Sequence, residues 1–321
     1  MLEGLNIIEN NNILQLEIES KNFKVENLPN HITKFVNVQY KNTTRNNYSI
    51  GLNKFNNYLL NNKIEIINQT NINQLIKEYK SNLENNTKLA STSIDNYIEI
   101  VKVFCTTYLE LKIKKIRKNN TGKTQKIKYL EFDEIKGLIN TVQYITGNEE
   151  QITRDKAIIC TLFGAGLRIS ELLNIKLENY DPDKNTILII GKGRAIDELE
   201  TIVLPEQTNN YIKQYLHQRR LHNRECKYLF CSLKDKQLTR QAVNKNIKKI
   251  SNEYDKRTNK NITPKVSTHS FRHSLARYLL INKKYSIHQV KDILRHSNIE
   301  TTAKYLENSQ EEIQQLRANI F

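Results

Sequence analysis

The chain has 321 residues, with 50 Lys and Arg against 34 Asp and Glu, a formal charge of +16 and a pI near 9.5. That length is enough for two domains, and the charge favours a polyanionic partner, nucleic acid being the commonest. There is no basic-then-apolar N-terminal signal and no apolar run near membrane length, so a cytoplasmic protein without a membrane partner is expected. The four cysteines, Cys105, Cys160, Cys226 and Cys231, have no metal-ligand spacing and read as reduced, mostly buried thiols.

In chain order, residues 1–30 come first and are acidic. Glu3, Glu9, Glu17, Glu19 and Glu26 face only Lys21 and Lys24, so this segment is not a nucleic-acid arm. It is expected to fold against the body or to remain mobile. Residues 31–112 carry apolar side chains at helical spacing. Tyr48, Leu52, Phe55, Tyr58 and Leu59 are followed by Ile72, Leu75, Ile76 and Tyr79, then by Ile94, Tyr97, Ile98, Val101, Phe104 and Cys105. A small all-helical domain follows from that pattern.

A basic linker over 113–128 separates the halves. From Lys112 onward, Lys114, Lys115, Arg117, Lys118, Lys123, Lys126 and Lys128 occur with no intervening acid. Such a run repels itself and should be extended and solvated unless an anion neutralises it. Between two candidate DNA-binding halves, it is expected to follow a phosphate backbone. Residues 129–321 then read as mostly helical, interrupted by apolar β-like runs at 186–190, 201–204 and 228–231. Scarce Gly (9) and Pro (4) agree with a helix-dominated chain, mainly α with a small β-sheet.

Six residues in the second half carry the chemistry. In GAGLRISELLNI, the GAG breaks an apolar helix and a new helix restarts near Ser170. Arg168 and Glu171, three apart, form either a surface ion pair or a guanidinium fork aimed at phosphate oxygens and steadied by the carboxylate. Lys192 sits in a Gly-Lys-Gly turn between the strand-like ILII and IVLP. It is either a solvated turn lysine or an ammonium held at a cleft, where guanidinium neighbours would lower its pKa towards that of a general acid.

His269 and Arg272 lie three apart in THSFRHSLA, on a helix starting after Ser267 or Thr268. Phe271, Leu275 and Leu279 pack its other sides, and His273 is expected to point elsewhere. His296 follows an amphipathic helix (Ile287, Val290, Ile293, Leu294) ending near Ser297, and Tyr305 comes nine residues after His296. Read as one site, these side chains would surround a phosphodiester with cations and imidazoles and offer a tyrosine to attack it.

GxGLRxSEL, HSFRH and HSNIETTAKY together resemble the tyrosine recombinase (phage integrase) family across the catalytic half. The resemblance implies a two-domain DNA clamp, in which a helical core-binding domain (31–112) lies across one face of a duplex beside a mixed α/β catalytic domain (129–321). It makes Arg168, Lys192, His269, Arg272, His296 and Tyr305 catalytic, with Glu171 in support. Lys112, Lys114, Lys115, Arg117, Lys118, Lys123 and Lys126 become DNA-binding residues.

The implied activity is site-specific recombination of double-stranded DNA bearing an inverted-repeat site, through a 3′-phosphotyrosyl intermediate, without ATP, metal or other cofactor. The implied assembly is a nucleoid-associated homo-tetramer, alone or with a second recombinase or accessory proteins. The apolar stripe Ile313, Leu316, Ile320 and Phe321 would then dock onto a neighbouring subunit. Two departures stand out: RAIDELET lengthens the turn after Gly193, with Arg194 second in line behind Lys192 for its role, and Arg295 occupies a position that the family usually gives to glycine. The competing readings are a type IB topoisomerase-like enzyme and a DNA-binding module without catalysis.

Overall fold

The computed structural model describes residues 12–119, 128–145, 147–190, 199–295, 298–299 and 302, apart from the side chains of 42 and 43. The chain divides into two compact units, Met1–Thr124 and Gln125–Phe321. No helix among the described residues is long and apolar enough to cross a membrane.

The first unit is built from α1 (12–20), α2 (Leu28–Gln39), α3 (Asn42–Asn61), α4 (Ile72–Asn86) and α5 (Ser91–Thr107). A short antiparallel pair, β1 (Asn22–Lys24) and β2 (Ile66–Asn68), closes one edge. The core takes in more than residues 31–112, because Phe23, Val25 and Leu28 are buried in it alongside Phe35, Phe55 and Phe104. Glu17, in the acidic segment, is buried as well and accepts bonds from the Lys24 amide (3.2 Å) and Asn27 Nδ2 (2.8 Å). It also pairs with the fully buried His31 Nε2 at 2.7 Å.

The basic run is not a free linker over its described part. Ile113 and Ile116 pack against the first unit's core, while Lys112, Lys114, Lys115, Arg117 and Lys118 are all exposed. Side chains of α4 and its approach hold the backbone: Gln69 and Asn73 bond to Lys112 and Lys114, and Lys80 Nζ donates to the Arg117 carbonyl at 2.6 Å. The Gln69 and Asn73 amides and the Lys80 ammonium satisfy these backbone groups without cancelling the segment's cations. Lys123 and Lys126 lie outside the described residues.

The second unit contains α6 (Phe132–Thr141), α7 (Glu149–Gly164), α8 (Ile169–Asn174), α9 (Glu206–Leu221), α10 (Arg240–Thr258), α11 (Thr268–Arg277) and α12 (Ile287–Leu294). A three-stranded antiparallel sheet, β3 (Tyr180–Asp181), β4 (Thr186–Ile190) and β5 (Leu199–Val203), interrupts the helices. Two of the three expected β-like runs are these strands. The third, 228–231, makes only isolated bridges from Tyr228 to Lys176 and from Cys231 to Gln237, and the remaining strand is β3. The apolar α7 lies against both α9 and α11 in the centre of the unit.

Two short chain features fix where the site forms. Ser267 caps α11, its hydroxyl accepting the Ser270 amide at 3.1 Å, which places His269 and Arg272 in the first turns. Gly166, between α7 and α8, has a φ of +58° and lies so close to α11 and α12 that a Cβ would come within 2.8 Å of Leu275 Cδ2 and of Leu294 Cδ2. Only glycine meets both conditions. Gly166→Ala is therefore expected to destabilise the protein by about 2 kcal/mol or more, from left-handed strain plus overpacking. Urea unfolding would check this, and an unchanged midpoint would contradict it.

Candidate active site

The site grows from the turn at Gly166. Arg168 precedes α8 in an extended conformation, and the Glu171 carboxylate one turn later accepts both its backbone amide (2.8 Å) and its Nη1 (2.6 Å). The Glu171 side chain is 4% exposed and that of Arg168 is 27% exposed, so the pair is a buried carboxylate steering a guanidinium that reaches solvent. Burial alone would raise the Glu171 pKa. The bonds from Arg168 and the charges of Arg295 and Arg168 outweigh it and leave the carboxyl below its ordinary value.

Arg272 projects from α11 and is 1% exposed. Its Nη1 donates to the Gly166 carbonyl and its Nη2 to the Leu294 carbonyl, so one side chain bridges the turn before Arg168 and the last residue of α12. Taking a guanidinium out of water costs several kcal/mol, and hydrogen bonds from a charged donor return about 1.5–3 kcal/mol each. Both acceptors are neutral, so these two bonds leave the positive charge in place.

His269, one turn before Arg272, is exposed. Its pKa is lowered first by partial desolvation, then by the charges of Arg272, Arg168 and Arg240. The ring is therefore neutral near pH 7 and can accept a proton. His273 does not point away as expected: its ring stands edge-on to His269 with centroids 4.3 Å apart. Positions four apart share a helix face, and here both rings use it.

α12 stops earlier than its amphipathic pattern suggests. The chain turns left-handed at Arg295 (φ +56°, ψ +46°), so the helix ends at Leu294 rather than near Ser297. Arg295 folds back over the turn, and its Nη2 lies 3.1 Å from Glu171 Oε2. Lys192, His296 and Tyr305 all lie outside the described residues. In sequence, Lys192 falls between β4 and β5, and His296 directly follows Arg295.

Arg168, His269 and Arg272 are thus brought to one place with Glu171 beneath them. Two further cations join that sequence spacing did not select. Arg240 opens α10 behind the Thr239 cap, and its only sequence signal was a basic helix start. Arg295 was visible as a cation near the site, but its carboxylate partner, 124 residues away, was not.

Comparison with known proteins agrees with this geometry. The sequence pattern of the phage integrase family matches residues 128–312, more than half of the chain. Tyrosine recombinase XerC of Leptospira interrogans is 27% identical over 314 residues, covering 92% of this chain and 94% of the relative. Tyrosine recombinase XerD of Staphylococcus aureus is 30% identical over 190 residues, covering 58% of this chain and 60% of its own. Among solved structures, the XerH site-specific recombinase in a post-cleavage complex with a palindromic difH substrate shares the fold. Its TM-score is 0.67 at 22% identity, over 86% of this chain and 79% of that one. The chain belongs to the phage integrase family and is a tyrosine recombinase.

Proposed function

We propose that this recombinase cleaves duplex DNA by binding the scissile phosphate over Arg168 and Arg272 and attacking it with Tyr305. The observation that carries this reading is the convergence of two guanidiniums and an imidazole beside the Gly166 turn. Arg168 and Arg272 stabilise the charge that builds on the non-bridging oxygens in the pentavalent transition state. Tyr305, with an unperturbed phenol pKa of about 10, forms the Oη–P bond as its proton passes to His269. The P–O5′ bond breaks, Lys192 gives its proton to the departing oxygen, and His296 bonds a phosphate oxygen.

The product is a 3′-phosphotyrosyl link that keeps the phosphodiester energy. Attack by a 5′-hydroxyl of another duplex reverses the step with exchanged partners. A DNA substrate is supported by the difH complex of XerH, and the exposed cations Lys112, Lys114, Lys115, Arg117 and Lys118 fit a phosphate backbone. Lys123 and Lys126 extend that series in sequence. The working form is a homo-tetramer on an inverted-repeat site, carrying out integration and excision or resolving replicon dimers.

Trapping on a nicked suicide duplex bearing a repeat from beside the gene tests the reading. A protein–DNA adduct at the 3′ phosphate is expected, and none with Tyr305→Phe. An adduct that survives in Tyr305→Phe would contradict the nucleophile.

The His269 environment gives a pH signature. Above the unfolded pKa of about 6.5, both folded and unfolded forms hold the ring neutral. As pH falls from there through the lower folded pKa, the unfolded chain takes up the proton first, so stability is lost on acidification. An NMR titration is expected to place the His269 midpoint below 6.5. His269→Asn should remove part of the acid destabilisation in that window. A midpoint at or above the unfolded value would contradict the neutral-base role.

A further inference from the structure

Arg295 is unusual in two ways. It holds a left-handed conformation at the end of α12, which favours glycine, and it spends a long charged side chain there. That side chain is only 10% exposed. Its Nη2 lies 3.1 Å from Glu171 Oε2, its Nε 3.9 Å from Glu200 Oε2, and its Nη1 donates to the Ile293 carbonyl at 3.4 Å.

The result is an alternating row of charges: Glu200 on β5, Arg295, Glu171, then Arg168. Glu200 is the more exposed of the two carboxylates, with its side chain 27% accessible, and sits farther from Arg295, so water screens it more. Glu171 is buried and touches both guanidiniums. Its Oε1 takes Arg168 Nη1, while its Oε2 takes the Arg168 amide and Arg295 Nη2.

A carboxylate that touched Arg168 alone would steer that guanidinium but also neutralise it. With Arg295 on its second oxygen, Glu171 is balanced from the other side. Resting on the phosphodiester reading above, we propose that Arg295 is a positioning residue for strand cleavage: it fixes and neutralises Glu171, so that Arg168 keeps its direction and its positive charge for the scissile phosphate. The side chain thereby turns a glycine position into a support for the first phosphate-binding arginine. Glu171 staying ionised between two cations, with a lowered pKa, is consistent with this.

The test separates charge from shape. Arg295→Gly suits the left-handed backbone, which offsets part of the cost of leaving Glu171 with one cation, so the variant should remain folded at the assay temperature. In single-turnover cleavage at saturating protein it is expected to be slower by roughly tenfold or more, less than the loss of a direct oxyanion donor. Arg295→Lys should keep most of the rate. Adding Glu171→Gln to Arg295→Gly removes the unbalanced anion and should recover much of the loss. A role in direct phosphate contact, or in merely holding α12, would not be rescued this way.

A second readout does not need cleavage. In a Tyr305→Phe background, the slope of log affinity against log salt for a short duplex should fall by about one in Arg295→Gly and return in the double variant. A parent that gives no adduct would sink the cleavage reading, while the salt slopes would still decide this inference. Parent-like cleavage and slope in Arg295→Gly would overturn it, as would losses that the double variant fails to restore.

Discussion

The geometry of the second unit's candidate site depends on one buried cation. Arg272 ties the Gly166 carbonyl to the Leu294 carbonyl, and those two atoms belong to the segments that carry Arg168 on one side and Arg295 on the other. Because the guanidinium is buried, its bonds are not shared with bulk water and its geometry is fixed. Gly166 makes the bridge possible, since any side chain there would push Leu275 and Leu294 away from the turn. Arg272 is therefore a structural strut, and deleting it would not separate that role from the phosphate contact proposed for it.

Charge is arranged around that strut in a graded way. Arg272 is held by neutral carbonyls, Arg168 by a carboxylate that a third arginine balances, and His269 sits exposed in the combined field of its cationic neighbours. Positive potential at such a place does two things. In the proposed mechanism it draws a phosphodiester in, and it adds to the desolvation that lowers the His269 pKa. The first unit contributes a different kind of positive surface, a strap whose isoleucines face the core and whose five described cations face solvent.

Much of this was legible in the sequence because it rests on short spacings. Arg168 with Glu171 and His269 with Arg272 are each one helical turn apart, and the GAG break and the Ser267 cap mark where those helices begin. The β4–β5 pair was visible as two apolar runs. What could not be read depends on contacts made across the chain. The early end of α12 follows from a left-handed residue that no amphipathic pattern reveals, and Glu171 meets Arg295 only after folding. His273 was misplaced because the α11 surface accommodates two rings on one face. The basic run looked like a solvated linker because the Gln69, Asn73 and Lys80 side chains that bind its backbone lie about 40 residues earlier.

In the proposed mechanism Arg168, aimed by Glu171, neutralises charge on the scissile phosphate. Replacing one non-bridging oxygen of that phosphate by a methyl group removes the charge while leaving the attack possible. Cleavage of the native and methylphosphonate duplexes should be compared for the parent and Arg168→Ala, a substitution that leaves the Arg272 bridge intact. A large defect for Arg168→Ala is expected on the native phosphate and a much smaller one on the methylphosphonate. Equal defects on both substrates would contradict this role.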